Sequence, residues 1–272
     1  MPGALQAARP LPELLEALHD KGLRRGVAPA RGRPEPARGT LSTGHPALDA
    51  ALGDGLPRGS LGLFEAELGT GATTLALHVL AATQRAGGLT AYVDLPGTLD
   101  PAAAVRLGLA LEWLLIVHPG SAGEALELAA WLARSRLVDA LVLDLEAPGV
   151  STSGLRPLLE RLPGVLARTS ATVLLLADRP LRDAAMRAAG VRLRLERLAW
   201  LAVGRDLVGQ RVRATVTRHR WAAPGGQAEL ELWFGEGRRL DALGPSLATL
   251  HERAAAQHEP AAPRVALRVL SA

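Results

Sequence analysis

Residues 61–77, L-G-L-F-E-A-E-L-G-T-G-A-T-T-L-A-L, decide the fold of this 272-residue chain. An apolar run from Leu61 to Phe64 enters a turn containing Gly69 and Gly71, and Thr73-Thr74 open a helical pattern. Strand, glycine turn and helix N-terminus in that order make a phosphate-binding loop, whose backbone N–H groups and helix dipole face an anion. The full pattern is G-x-x-x-x-G-K-[ST]. Here Ala66 precedes four residues, among them Gly69 and Thr70, and Gly71-Ala72-Thr73 follow. The second glycine and the hydroxyl stand, while alanines replace the first glycine and the lysine. An ammonium at position 72 would neutralise the β- and γ-phosphates, and a methyl group cannot. Lys21 is the only lysine in the chain, so no other lysine can take its place. Thr73 and Thr74 have a simpler reading as caps of the helix N-terminus.

Composition sets the outer bounds. The chain is long enough for one α/β domain with a full core. It has no cysteine, which excludes a disulfide framework and a cysteine-based metal site. No charged-then-apolar leader and no apolar run of about eighteen residues is present, so a cytoplasmic protein without a membrane span is expected. The net charge of +4 comes from 31 basic and 27 acidic residues, nearly all of the basic ones arginine. Such a balance suits phosphate, carboxylate or nucleic acid. A coding bias toward arginine is the simpler account of it, since charge alone is a weak witness to function.

Outward from the loop, residues 11–25 carry Leu11, Leu14, Leu15 and Leu18 at helical spacing. A helix of that length is marginal alone and must dock on its own domain or a neighbour. The Pro/Gly/Arg-rich stretch 27–40 reads as a linker, residues 41–250 as the core domain and 251–272 as a tail. Helices are expected at 46–52, 73–85, 101–109, 122–136 and 155–168, with Pro163 the point for a kink in the last. Apolar strands are expected at 61–64, 89–94, 113–118, 140–145 and 172–177. Alternation of such strands with helices implies a parallel sheet covered on both faces. Residues 191–203, 212–218 and 228–234 alternate polar with apolar, with turns at 208–210 and 223–226, and imply an antiparallel extension with one wet face. Residues 264–270 are either a small edge strand or a partner-binding peptide. Trp113, Trp131 and Trp200 read as core. Asp144 ends the fourth long strand, where a carboxylate in an ATPase would hold Mg²⁺ together with Thr73.

At this point the chain resembles the RecA-type recombinases. The segment 41–59 is similar to the family's approach to its Walker A strand, 99–108 to the segment after its second strand, and 138–144 to its Walker B strand. Residues 192–237 are similar to its antiparallel end strands almost turn by turn. The resemblance implies a RecA-like P-loop ATPase core: a mainly parallel sheet flanked by helices, with an antiparallel C-terminal extension.

Several family roles are unfilled. The catalytic glutamate position is Pro96, the adenine-stacking aromatic falls at Ala103, and the γ-phosphate sensor falls at Asp178-Arg179. The DNA-contacting loops, 147–154 and 180–190, are shorter than the family's, and the family's separate C-terminal domain has no counterpart. Thr73, Thr74, Asp100 and Asp144 are kept, as are Arg218 and Arg220, the basic pair that in RecA-like filaments reaches a neighbour's nucleotide. This selective loss resembles the ImuA-type proteins, RecA relatives that accompany an inactive Y-family polymerase subunit in SOS mutagenesis.

The expectation is therefore a vestigial phosphate loop (Ala66, Gly69, Thr70, Gly71, Ala72, Thr73 and Thr74, with Asp144 and Asp100) and no catalytic or metal-ligating residue. At most it would bind ATP or ADP weakly with Mg²⁺. The expected partners are RecA or an ImuB-type polymerase subunit, met through Leu14, Leu15, Leu18, Arg218 and Arg220. The alternative is a divergent DNA-dependent ATPase in which Arg58, Arg179 or a neighbour's Arg218 and Arg220 replace the lysine. Direct DNA binding would rest on Trp221 beside Arg218-His219-Arg220, with affinity falling steeply in salt.

Overall fold

The computed structural model describes residues 39–147, 154–177, 182–183, 185–203, 206–234 and 267–271. Leu14, Leu15 and Leu18, the linker up to residue 38, Asp178, Arg179 and the stretch 235–266 lie outside the described residues.

The entry to the core is a small knot of chain. β1 (Thr40–Leu41) pairs antiparallel with β2 (Leu56–Pro57) around α1 (Pro46–Ala51). Pro46 opens α1 where its missing N–H costs nothing. The Asp49 carboxylate ties the turn together, accepting from the Thr43 N–H and hydroxyl at 2.7 Å each. Gly55 sits at φ +110°, and a Cβ there would lie 2.6 Å from the Leu41 carbonyl, so only glycine fits.

β3 (Leu61–Glu65), α2 (Ala72–Arg85), β4 (Thr90–Asp94), α3 (Pro101–Arg106), β5 (Leu114–Val117), α4 (Ala122–Ser135), β6 (Ala140–Leu145), α5 (Leu155–Leu166) and β7 (Thr172–Ala177) then alternate. They are followed by β8 (Val191–Val203), β9 (Asp206–His219), β10 (Gln227–Trp233) and β11 (Leu267–Ser271). Among the described residues nine strands form one sheet in the order β10-β9-β8-β3-β7-β6-β4-β5, with β11 paired to β8. Pairing is parallel from β5 to β8 and antiparallel for β8–β9, β9–β10 and β8–β11.

Because strand side chains alternate, each central strand feeds two cores. Phe64, Tyr92, Val142 and Leu174 pack with Leu75 and Leu80 of α2. Leu63, Val93, Leu143 and Leu175 pack with Leu126 and Leu132 of α4 and Leu159 and Leu162 of α5. The expected mainly parallel sheet with an antiparallel extension is the architecture observed. On the extension's wet face Arg211 meets Glu231 and Arg213 meets Glu229, each at 3.1 Å, so part of the arginine excess is neutralised within the fold.

Two kinds of local expectation are corrected. Residues 208–210 do not form a turn but lie inside β9, which runs unbroken from Asp206. Gly209 is needed for a different reason, since a Cβ there would lie 2.7 Å from the Leu232 carbonyl of β10. Trp131 is 37% exposed rather than core, because α4 buries the stripe Ala122, Ala125, Leu126, Ala129, Leu132 and Ala133, which misses position 131. Trp113 and Trp200 are only half-buried. Pro163 lies inside α5, which continues to Leu166 as the expected helix did.

Candidate functional site

The glycine turn between β3 and α2 stands at the carboxyl end of the central strands, where α/β sheets place their ligands. Gly71 is the N-cap of α2 at φ +88°, and no side chain caps the helix. Thr73 and Thr74 therefore lie within the first turn, and the reading of them as caps does not hold.

A side chain from β9 fills the approach to this turn. Gln210 is 1% exposed. Its amide fits in one orientation: Nε2 donates to the Gly69 carbonyl and Oε1 accepts from the Gly71 N–H, each at 3.1 Å. Leu232 of β10 presses on the same spot, 2.5 Å from where a Cβ on residue 71 would stand. Further donors reach the loop carbonyls. The Thr70 hydroxyl donates to the Glu67 carbonyl at 2.6 Å. The Arg182 guanidinium donates to the Ala66 carbonyl, and that of Arg197 to the Gly69 carbonyl at 3.3 Å while lying 4.2 Å over the Trp200 ring. Ala66 and Ala72 are each 7% exposed and supply only methyl groups.

Asp144, at the end of β6, is 3% exposed. Its Oδ2 accepts the Tyr92 hydroxyl at 2.7 Å and its Oδ1 the Glu146 N–H at 3.1 Å. Burial raises its pKa above the ordinary carboxylate value, opposed by the Tyr92 and Glu146 hydrogen bonds. Burial, and then the Asp144 charge, push the Tyr92 phenol up in turn, so the phenol stays a proton donor. Asp94, fully buried one strand away, accepts from the Thr98 and Leu99 N–H groups at 3.2 and 3.0 Å. Among the described residues no group of three His, Cys, Asp or Glu side chains could hold a metal ion.

Beside the loop lies a cavity of about 250 Å³ lined by Thr73, Thr74, Leu77, Asp100, Ala103 and Phe234, among others. The lost aromatic at Ala103 is thus offset in part by Phe234, 44% exposed, which follows β10 across the cavity. Asp100 serves chiefly as the N-cap of α3, accepting from the Ala102 N–H at 2.8 Å. That bond is the main reason its pKa is lowered.

The phosphate end is different. The turn's Gly71 N–H and the Asp144 oxygens already have partners, and no cation projects from position 72, so these residues do not fit a magnesium triphosphate.

The arginines proposed as substitutes are dispersed. Arg58 is bound to Asp139 at 2.9 Å, on the connections that enter β3 and β6 at the opposite end of the sheet from the loop. Arg218 donates to the Met186 carbonyl at 3.4 Å and pairs in register with Arg192 at the start of β8. The strand from Gln210 to Arg218 extends for roughly 26 Å, so Arg218 lies far along β9 from the residue that holds Gly69 and Gly71. The Arg220 guanidinium lies 5.8 Å from the Trp221 ring. Arg182 and Arg197, which do reach the loop, were not singled out from sequence, and neither were Gln210, Tyr92 or Phe234. One signal for Gln210 was available, since it falls in step with Val212, Ala214 and Val216 on the buried face of β9.

Residues 30–170 match the RecA N-terminal domain family. The chain is 35% identical over 257 residues to Protein RecA of Salinispora arenicola, covering 83% of this chain and 74% of that protein. It is 34% identical over 228 residues to Protein RecA of Leifsonia xyli, covering 72% and 64%. In fold it is similar to the crystal structure of the RadB recombinase, at a TM-score of 0.54 and 23% identity over 71% of this chain and 96% of that one.

Proposed function

Because the chain belongs to the RecA family, we propose that it keeps the recombinase core as a binding module without nucleotide turnover. In this reading it is an ImuA-type accessory of damage-induced mutagenesis and DNA repair. It docks on RecA, on an ImuB-type polymerase subunit, or on both. One observation carries the proposal: two backbone groups of the phosphate loop and its partner carboxylate are engaged from within. Gln210 occupies Gly69 and Gly71, and Tyr92 occupies Asp144. A working site must leave such groups free for phosphate and metal. A lost lysine could be replaced from elsewhere, but the buried Gln210 amide also stands on the loop backbone where a phosphate would approach.

Docking would use surfaces inherited from filament assembly, with Leu14, Leu15 and Leu18 on one side and Arg218 and Arg220 on the other. A heterologous contact of that kind extends or caps a filament.

A second reading keeps some support. The cavity beside α2 could hold a purine, and Arg182 with Arg197 brings positive charge to the loop. A calorimetric titration with ATP and ADP in Mg²⁺ separates the two. No heat and no thermal stabilisation at millimolar nucleotide, together with stoichiometric cosedimentation with RecA or the polymerase subunit, is the expected result. Tight Mg²⁺-dependent binding would overturn the non-catalytic reading.

A further inference from the structure

Gln210 lies on β9, the middle strand of the antiparallel extension. It pairs in register with Trp200 of β8 on one side and Leu232 of β10 on the other. Side chains alternate along a strand, so Gln210 shares its face with Val212, Ala214 and Val216, all fully buried. A glutamine at this depth needs partners for its amide. The loop supplies them: Nε2 donates to the Gly69 carbonyl and Oε1 accepts from the Gly71 N–H. The contact is tight, since a Cβ on residue 71 would lie 2.6 Å from the Gln210 amide.

We propose that Gln210, more than the missing lysine, determines what this loop can hold. It is a built-in ligand for the loop backbone, and it keeps out phosphate-bearing ligands whatever residue stands at position 72. The inference rests on the non-catalytic reading and deepens it by assigning the block to one side chain.

A cation can be supplied from outside the loop, and two already reach it. Arg182 and Arg197 donate to the Ala66 and Gly69 carbonyls. The Arg197 Nε is buried without a hydrogen-bond partner among the described residues, so one charged donor beside the loop is still unpaired. Positive charge is therefore at hand. The backbone is what an incoming phosphate lacks. A phosphate loop cradles its anion with successive N–H groups, and the Gly71 N–H, at the N-cap of α2, is already given to Gln210.

The amide is also fixed in place. A surface side chain swings aside by changing rotamer, but β8 and β10 both hold the backbone of Gln210 in the ladder. Leaving the loop means burying an unpaired amide or parting β9 from its neighbours, and both are costly. A lysine restored at position 72 meets the same obstacle.

The test compares four full-length chains: native, Ala72→Lys, Gln210→Ala, and the two changes combined. Each is titrated calorimetrically with ADP in Mg²⁺ and with inorganic pyrophosphate. The native chain and Ala72→Lys are expected to give no heat at millimolar ligand. Gln210→Ala should bind weakly, and the double variant about tenfold more tightly, the effect of one added charged contact. Lysine then acts only once the glutamine is gone. Binding by Ala72→Lys as tight as by the double variant would overturn the proposal, as would no binding by a double variant that urea melts show to be folded. Where alanine at 210 unfolds the chain, Gln210→Thr, a residue suited to a strand, takes its place in the same comparison. Tight binding by the native chain refutes the non-catalytic reading itself, whereas binding gained by Ala72→Lys alone refutes only the role of Gln210.

Discussion

Tyr92→Phe removes one oxygen and leaves the ring in place. In the native chain the fully buried Tyr92 donates to Asp144 at 2.7 Å, and Asp144, 3% exposed, also accepts the Glu146 N–H. A buried hydrogen bond to an ionised carboxylate contributes about 1.5–3 kcal/mol. The loss should appear as a lower denaturant midpoint at unchanged m-value, or as a melting shift of roughly 3–10 °C for a domain of this size.

The pH dependence follows from the direction of the Asp144 shift. Burial already holds its pKa above the unfolded value, and losing a donor that favours the charged form raises it further. A carboxyl with a raised folded pKa binds more protons when folded, so it lowers stability as pH rises from the unfolded pKa through the folded one. The variant's deficit should therefore be full at neutral pH and shrink on acidification. Urea melts of the native chain and variant at pH 7 and near pH 4 test this. A deficit that is absent at pH 7, or that grows toward pH 4, would refute the assignment of Tyr92 as the partner of an ionised Asp144.

Gln210→Ala should cost about 1–3 kcal/mol, because the Gly71 N–H loses its buried partner while the Gly69 carbonyl keeps the Arg197 guanidinium. Hydrogen exchange at the Gly71 amide should accelerate in that variant, and an unchanged rate would show that Gln210 does not hold the loop. His78 shares a 2.9 Å hydrogen bond with His45. Its pKa is lowered to about 4 by burial first, then by His45 and Arg85. Its neutral form supports the fold above pH 6.5, and that support is lost as pH falls from 6.5 toward 4, by roughly 3 kcal/mol at most. The difference in stability between the native chain and His78→Gln should narrow over that interval in parallel urea melts.

Much of the fold was legible where local pattern and tertiary role coincide. Ala140–Leu145, Thr172–Ala177 and Val191–Val203 have the same bounds in sequence and structure, because continuous or strictly alternating apolar runs leave little choice of element. The stretch 208–210 misleads for a physical reason. Glycine there answers the close approach of β10, a partner that sequence alone does not bring near. The loop itself was legible, including what it lacks. What fills it was not, since Gln210 and Arg197 arrive from strands more than 120 residues downstream and Tyr92 meets Asp144 only through the register of β4 with β6. The missing aromatic at Ala103 was visible in the sequence, whereas Phe234 on the far wall required the fold.

The position of β3 has a consequence for how the chain acquires its shape. β3 lies in the middle of the sheet between β7 and β8, and both neighbours follow it by more than a hundred residues. The strand that carries the loop therefore cannot find either edge partner while the intervening chain is still being made. At about 5–20 residues per second that interval is roughly 6–26 s. Until then Leu61, Leu63 and Phe64, all 1% exposed or less in the finished molecule, have no sheet to enter. Long-range pairing of this kind makes folding slow and leaves an apolar strand open to wrong partners. The nascent chain is thus most vulnerable to aggregation before Val191–Arg194 has emerged, and a truncation ending before β8 should accumulate as aggregate rather than as a smaller folded domain.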